Sequence, residues 1–134
     1  MKRILLISFV IFGALLVKGG LSPSARGNGA PHRESAVVEF TQTVKLQDVL
    51  LRGQYLIVHD EERMANGEAC TYIYHGSRVN PAKLVASFHC IPVERARADG
   101  FKVILARHTT PYEVQEVKEY QFAGSTEGHQ VPGP

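Results

Sequence analysis

An all-β fold, an antiparallel β-sandwich or small barrel of about six strands, is what this sequence predicts. Three observations predict it. Short runs are rich in Val, Ile, Tyr and Phe; the best of them alternates apolar and polar residues at period two; and Gly, Asn and Pro signals separate the runs, with no long helical stripe anywhere.

Taken in order, Val38, Phe40, Val44 and Leu46 share one parity, and Glu39, Thr41, Thr43 and Lys45 the other. A half-buried strand therefore starts near Val37. Arg52-Gly53 reads as a turn, and residues 55–59 as a second strand, apolar on both faces. Residues 60–69 are polar and carry the turn dipeptide Asn66-Gly67. Residues 70–75 and 83–93 are β-branched and aromatic, and they form a hairpin around a longish loop at 76–82. Residues 95–100 turn the chain into a fifth strand at 101–107. Residues 112–123 admit two readings. Val114, Tyr120 and Phe122 share a parity that Val117 breaks; a bulge near Glu116 restores a strand, whereas Val114, Val117 and Gln121 suit a short helix.

The front of the chain sets its compartment. Lys2 and Arg3 precede an apolar run over residues 4–17, too short for a bilayer span of about 20 residues, which is the pattern of a secretory signal. The expected organisation is a signal peptide at 1–20, a flexible leader at 21–36, the β-sandwich domain at 37–124 and an irregular C-terminal tail at 125–134. The destination is periplasmic or extracellular, with no membrane span once the signal is cleaved. The chain's 15 basic and 13 acidic residues give +2; without Lys2, Arg3 and Lys18, 12 basic residues face 13 acidic ones, a balance of −1. That near-neutral charge, with no basic run, excludes a nucleic-acid footprint.

In an exported protein, Cys70 and Cys90 are expected to form one disulfide. If the hairpin loop centres near Asn80, Cys70 lies directly opposite Cys90, Tyr72 opposite Phe88 and Tyr74 opposite Ala86. In that register, a one-residue slip puts the two sulfurs on opposite faces.

Chemistry is concentrated in residues 59–70, a polar segment held at both ends by apolar strands, where binding residues favour to sit. No nucleophile elbow, zinc-protease helix, phosphate loop or haem-attachment pair occurs. His89 and Cys90 are neighbours on one strand and so face opposite ways, which rules out a Cys/His dyad. No catalytic residue is assigned. The sharper alternative is a metal site. His59, Met64, His89 and His129, with a carboxylate such as Asp60 or Glu68, supply imidazole and thioether donors that suit copper or another transition metal. His32, His75 and His108 are weaker candidates.

Several stretches carry a resemblance. Residues 53–60, Arg63-Met64-Ala65 with Gly67-Glu68 and Cys70-Thr71, Ser87-Phe88-His89-Cys90 with Pro92, and Glu119-Tyr120-Gln121-Phe122-Ala123-Gly124-Ser125 with Glu127-Gly128-His129 resemble a group of small exported β-rich proteins of environmental bacteria. The resemblance covers most of the mature domain and implies the fold and export, without an activity. In that group Gly53 usually follows Pro-Ala, where this chain has Leu51-Arg52; the departure touches a turn and no site residue. The reading that results is an exported, non-catalytic binding or structural module of the cell envelope, whose partner is an envelope protein or a small ligand. The alternative is a copper or other transition-metal protein using His59, Met64, His89 and His129.

Overall fold

The computed structural model describes residues 32–106 and 110–134, so the signal segment at 1–20, the leader up to residue 31 and the candidate His108 lie outside the described residues. Among them the chain is all-β. The strands are β1 (Arg33–Leu46), β2 (Val49–Asp60), β3 (Thr71–His75), β4 (Leu84–Phe88), β5 (Ile91–Glu94), β6 (Lys102–Leu105), β7 (Gln115–Gln121) and β8 (Glu127–Gln130), with one short helix, α1 (Glu61–Ala65). They form one curled sheet in the order β4-β3-β2-β1-β7-β8-β5, with β6 added on β7. The pairing is antiparallel except between β1 and β7, which run parallel through Val44 with Gln115 and Lys45 with Glu116, so the sheet is mixed and curls into a half-barrel.

The expected alternation holds on β1, where Phe40, Val44 and Leu46 are buried. On β2, residues 55–59 are buried on both faces. Leu51, Tyr55 and Ile57 join Ile73, Val117, Tyr120 and Phe122 in the main core inside the curl. Leu56, Val58, Tyr72 and Tyr74 pack with Ala69 on the other face, where Arg63 stacks over the Tyr72 ring at 4.5 Å. α1 exists because Asp60 caps it: the carboxylate accepts from Arg63 N at 3.1 Å, and Glu61 and Glu62 occupy the first turn.

Several sequence expectations are corrected. The leader ends earlier than residue 36, because Arg33 through Ala36 already pair with Asp60 through Ile57; a polar sequence is held here by ladder hydrogen bonds to a long partner strand. The turn is not at Arg52-Gly53. It is the two-residue loop Gln47-Asp48, with Gln47 in the left-handed region (φ 50°), a conformation usually announced by Gly or Asn. Gly53 lies inside β2 opposite Phe40, at the point where two extra residues of β1 shift the register, and its φ of 92° serves that irregularity.

Residues 112–123 contain a strand rather than a helix. The bulge falls at Lys118, opposite Ile104 and Leu105, two residues beyond the expected position. The run 83–93 is two strands, β4 paired with β3 and β5 paired with β8, parted at His89-Cys90. The tail is not irregular throughout, since residues 127–130 form β8 between β7 and β5. Its glycine is a packing position, as described next.

Segment 95–98 folds back over the outer face of the β7–β8 hairpin. Arg95 N, Ala98 N and Gly124 N bond to Thr126 O, Ser125 O and Ala98 O at 2.8, 3.1 and 2.7 Å. Beneath it Gln121 Nε2 donates to Ala96 O and Ser125 O, both at 2.8 Å, and Arg95 grips Glu119 through two 2.8 Å hydrogen bonds. This explains how Glu119 and Gln121 are buried on a face that alternation assigns to solvent. It also fixes β8, and with it His129.

Candidate functional site

The inward row of β2 is apolar until its end. Leu51, Tyr55 and Ile57 are followed at the same parity by His59, which is 2% exposed. His59 pairs with Thr71 on β3. On the opposite wall, Tyr120 of β7 pairs with His129 of β8, which is 1% exposed, and His129 also faces Pro92 of β5. Curling the sheet brings the two walls together at this end. The His59 and His129 rings meet with centroids 4.2 Å apart and planes at 37°. His129 stacks on Tyr120 at 4.9 Å and meets the Phe122 edge at 5.9 Å. A short hydrogen bond joins the Thr71 and Tyr120 hydroxyls across the interior.

Two atoms of this cluster stand out. Among the described residues, His59 Nδ1 and His129 Nε2 are the buried side-chain polar atoms with no hydrogen-bond partner. Each such group ordinarily costs about 1–3 kcal/mol when left unsatisfied, so a pair of them facing into one cluster calls for a purpose. Burial lowers the basicity of both rings. For His59, nearby Glu127, Glu61 and Glu34 oppose the effect. For His129, desolvation and the neighbouring His59 together push the pKa down to about 4. Desolvation likewise raises the Tyr120 phenol, which stays protonated and available to bond Thr71. Tyr120→Phe is expected to cost about 1 kcal/mol by stranding the fully buried Thr71 hydroxyl, measured by urea denaturation against Thr71→Val/Tyr120→Phe, where the loss should shrink.

The disulfide expected from composition is present: Cys70 and Cys90 are bonded, with Cα atoms 6.2 Å apart. The expected register is not. The hairpin pairs Thr71 with Phe88 and Tyr72 with Ser87, one residue out from the Cys70-opposite-Cys90 arrangement, and Tyr74 pairs with Leu84 rather than Ala86. The bridge forms despite the slip because both cysteines lie just beyond the paired rungs, where facing is no longer fixed by the pleat. Cys90 N donates to Cys70 Sγ at 2.8 Å. The imidazole that reaches Cys90 is not its neighbour His89 but His129, whose Nδ1 lies 3.7 Å from Cys90 Sγ.

Of the four proposed metal ligands, then, the fold joins His59 and His129. Met64 is 47% exposed on α1, and His89 is exposed at the end of β4. Among the His, Cys, Asp and Glu side chains of the described residues there is one group of potential ligands, His59, Cys90 and His129, whose donor atoms lie within 4.8 Å of one another, and His89 is not part of it. Asp60 is committed to capping α1 and lies near Arg33 and Arg63 at 4.0 and 3.9 Å, and Glu68 is exposed. His75 packs edge-on against Tyr55, away from the cluster. Sequence reasoning missed Cys90 as a site neighbour because it weighed the cysteine only against adjacent His89 and otherwise assigned it to the disulfide. It also missed Tyr120 and Thr71, whose meeting depends on how the sheet curls.

Beside His59 opens a cavity of about 390 Å³, lined by His32, Glu34, Glu61, Glu127 and the β7–β8 turn. Its rim is acidic. Glu61 accepts from His32 N at 3.1 Å, and Glu127 Oε1 comes within 3.6 Å of His129 Nδ1. Such a rim favours a cationic ligand at His59, whose ring contacts His129 behind it. Residues 53–60, 87–92 and 119–129, three of the four stretches that carry the resemblance, meet here and supply His59, Cys90 and the Tyr120-to-His129 hairpin. No protein-family model, no curated protein and no solved structure matches the chain. What the site does follows from its own donors and their geometry.

Proposed function

We propose that the protein is a non-catalytic binding module, exported through its signal segment, whose ligand is a transition-metal cation taken up by His59 and His129. The observation that carries this reading is the pair of buried imidazoles in contact, each with an unpartnered ring nitrogen, next to a cavity rimmed by glutamates. Neutral imidazole is a ligand for copper, zinc and nickel, and the general affinity order favours copper. Burial keeps His129 unprotonated to about pH 4, so a proton competes poorly with the metal there. Export is supported by the basic-then-apolar N-terminal segment and is compatible with the disulfide; among the described residues no helix is long and apolar enough to cross a membrane.

Equilibrium dialysis at pH 7 of the disulfide-bonded protein against copper(II) is expected to give one ion per chain. His59→Ala and His129→Ala should each abolish it, whereas Met64→Ala and His89→Ala should leave it unchanged, with near-UV circular dichroism confirming the fold of each. The metal should be released below about pH 5, rather than near pH 6 as free histidines would dictate. Absence of binding, or binding that survives both histidine substitutions, overturns the reading.

A further inference from the structure

We infer that the Cys70–Cys90 disulfide gates this site: reduction frees the Cys90 thiolate as a third ligand, and the metal is then held by His59, His129 and Cys90. This rests on the metal-binding reading above and adds to it the regulation of the site. The geometry already suits the reduced state. A tetrahedral ion with metal–sulfur and metal–nitrogen bonds of about 2.3 and 2.1 Å holds its sulfur and nitrogen donors about 3.6 Å apart. Cys90 Sγ and His129 Nδ1 are 3.7 Å apart, and one ring nitrogen from each of His59 and His129 lies with Cys90 Sγ in a group whose members are all within 4.8 Å of one another. In the disulfide that sulfur is bonded to Cys70 and is a poor donor; as a thiolate it is a strong, soft, anionic one. The anion also compensates the charge of a cation brought among buried aromatic rings.

The released partner has a place to stay. Cys70 is buried, with its Sγ 3.7 Å from Phe88 O and 3.6 Å from Thr71 Oγ1, so its thiol can donate to that carbonyl without leaving the core. Cys90 sits half-buried in the link between β4 and β5, where no ladder pairing need break for its side chain to turn.

The redox step uses a dithiol. One thiolate of the dithiol attacks Cys90 Sγ, breaking the Cys70–Cys90 bond and expelling the Cys70 thiolate, which takes up a proton. The second thiol of the reagent, losing its proton, then attacks the mixed disulfide and expels the Cys90 thiolate. Two electrons have passed to the protein, and the reagent leaves as its own disulfide. Metal binding captures the Cys90 thiolate before it is protonated, or displaces its proton to solvent.

The test compares oxidised wild type, dithiol-reduced wild type, Cys70→Ser and Cys90→Ser under anaerobic conditions at pH 7. Zinc(II) affinity is measured by chelator competition, cobalt(II) complexes are read by absorption, and the fold of each form is checked by near-UV circular dichroism. The reduced protein and Cys70→Ser are expected to bind zinc at least 100-fold more tightly than the oxidised protein. Their cobalt complexes should show thiolate-to-metal charge transfer that the oxidised protein and Cys90→Ser lack, and reoxidation should release the metal. Should Cys70→Ser fail to fold, dithiol-reduced wild type carries the comparison. Equal affinity in oxidised and reduced forms, or tight binding by reduced Cys90→Ser, overturns the gate while leaving the two-histidine reading standing. No zinc binding by any form overturns the gate, and the copper dialysis then decides the two-histidine reading separately.

Discussion

Gly128→Ala is expected to destabilise the protein by about 3 kcal/mol, the upper part of the range for forcing extra volume into a packed position. Gly128 is not a flexible point in a loose tail but a residue of β8 covered by two side chains from elsewhere. A Cβ built there collides with Glu119 Oε1 and comes within 3.1 Å of Arg95 Cγ. Glu119 cannot simply swing away, because both its oxygens are bound by Arg95 at 2.8 Å and its side chain is only 5% exposed. Moving it breaks a bidentate pair and leaves a buried carboxylate uncompensated. The collision and the lost pair are one event, so the two substitutions must be strongly coupled. Glu119→Ala should make room for the new methyl group, and the double variant Gly128→Ala/Glu119→Ala should be more stable than the sum of the single losses by at least about 1 kcal/mol. Urea denaturation of the four proteins measures this directly, and strict additivity would refute the packing account. Because β8 carries His129, Gly128→Ala should also lower metal occupancy, whereas a substitution at the exposed Tyr112, 94% accessible, should not.

The same residue shows why the tail was hard to read in the sequence. Three glycines and two prolines after Ala123 give the composition of an irregular segment, and nothing local distinguishes a glycine needed for a close approach from one needed for a turn. What makes residues 127–130 a strand is non-local: open edges on β7 and β5, and the 95–98 segment clamped over them. By contrast, β1 was legible because its burial pattern is written in its own alternation, and the heart of β2 because an unbroken apolar run suits a strand buried on both faces, whereas residues 112–123 left strand and helix open. Half of the candidate site was legible for a related reason. His59 ends an apolar row and His129 follows a motif-like segment, so both were drawn into the metal set. Met64 was drawn in as a thioether in a polar loop and His89 as an imidazole held on a strand, and the fold leaves both on the surface. Cys90 was set aside through its disulfide, although the side chain that reaches it, His129, lies 39 residues away. Proximity across a curled sheet is set by curvature and register, and the hairpin slip by one residue shows how little of that a single chain encodes locally.

Acid should weaken the protein through the same two histidines. In the unfolded chain an imidazole takes up its proton near pH 6.5, whereas in the folded protein His129 is held to about 4 by burial and by His59. Between those values the unfolded state binds more protons than the folded one, so stability falls as pH falls. The contribution is fully present above about pH 6.5; about 2 kcal/mol of it is gone by pH 5 and about 3 kcal/mol by pH 4. His59, whose basicity burial also depresses, adds in the same direction. Replacing His129 with Phe keeps a ring on Tyr120 and removes both the titration and the unpartnered Nε2, so little is lost at pH 7. Urea midpoints from pH 8 to pH 5, a window above most carboxylate titration, are therefore expected to drop steeply for the wild type and less steeply for His129→Phe, which keeps the contribution of His59. Parallel curves for the two proteins would show that His129 protonates in the fold as easily as out of it, and that its burial does not control its charge. If the curves diverge as expected, bound metal should raise the wild-type midpoints at pH 8 and make their fall with acid steeper, because an ion on the imidazoles excludes the proton from the folded state and is itself released as the pH drops.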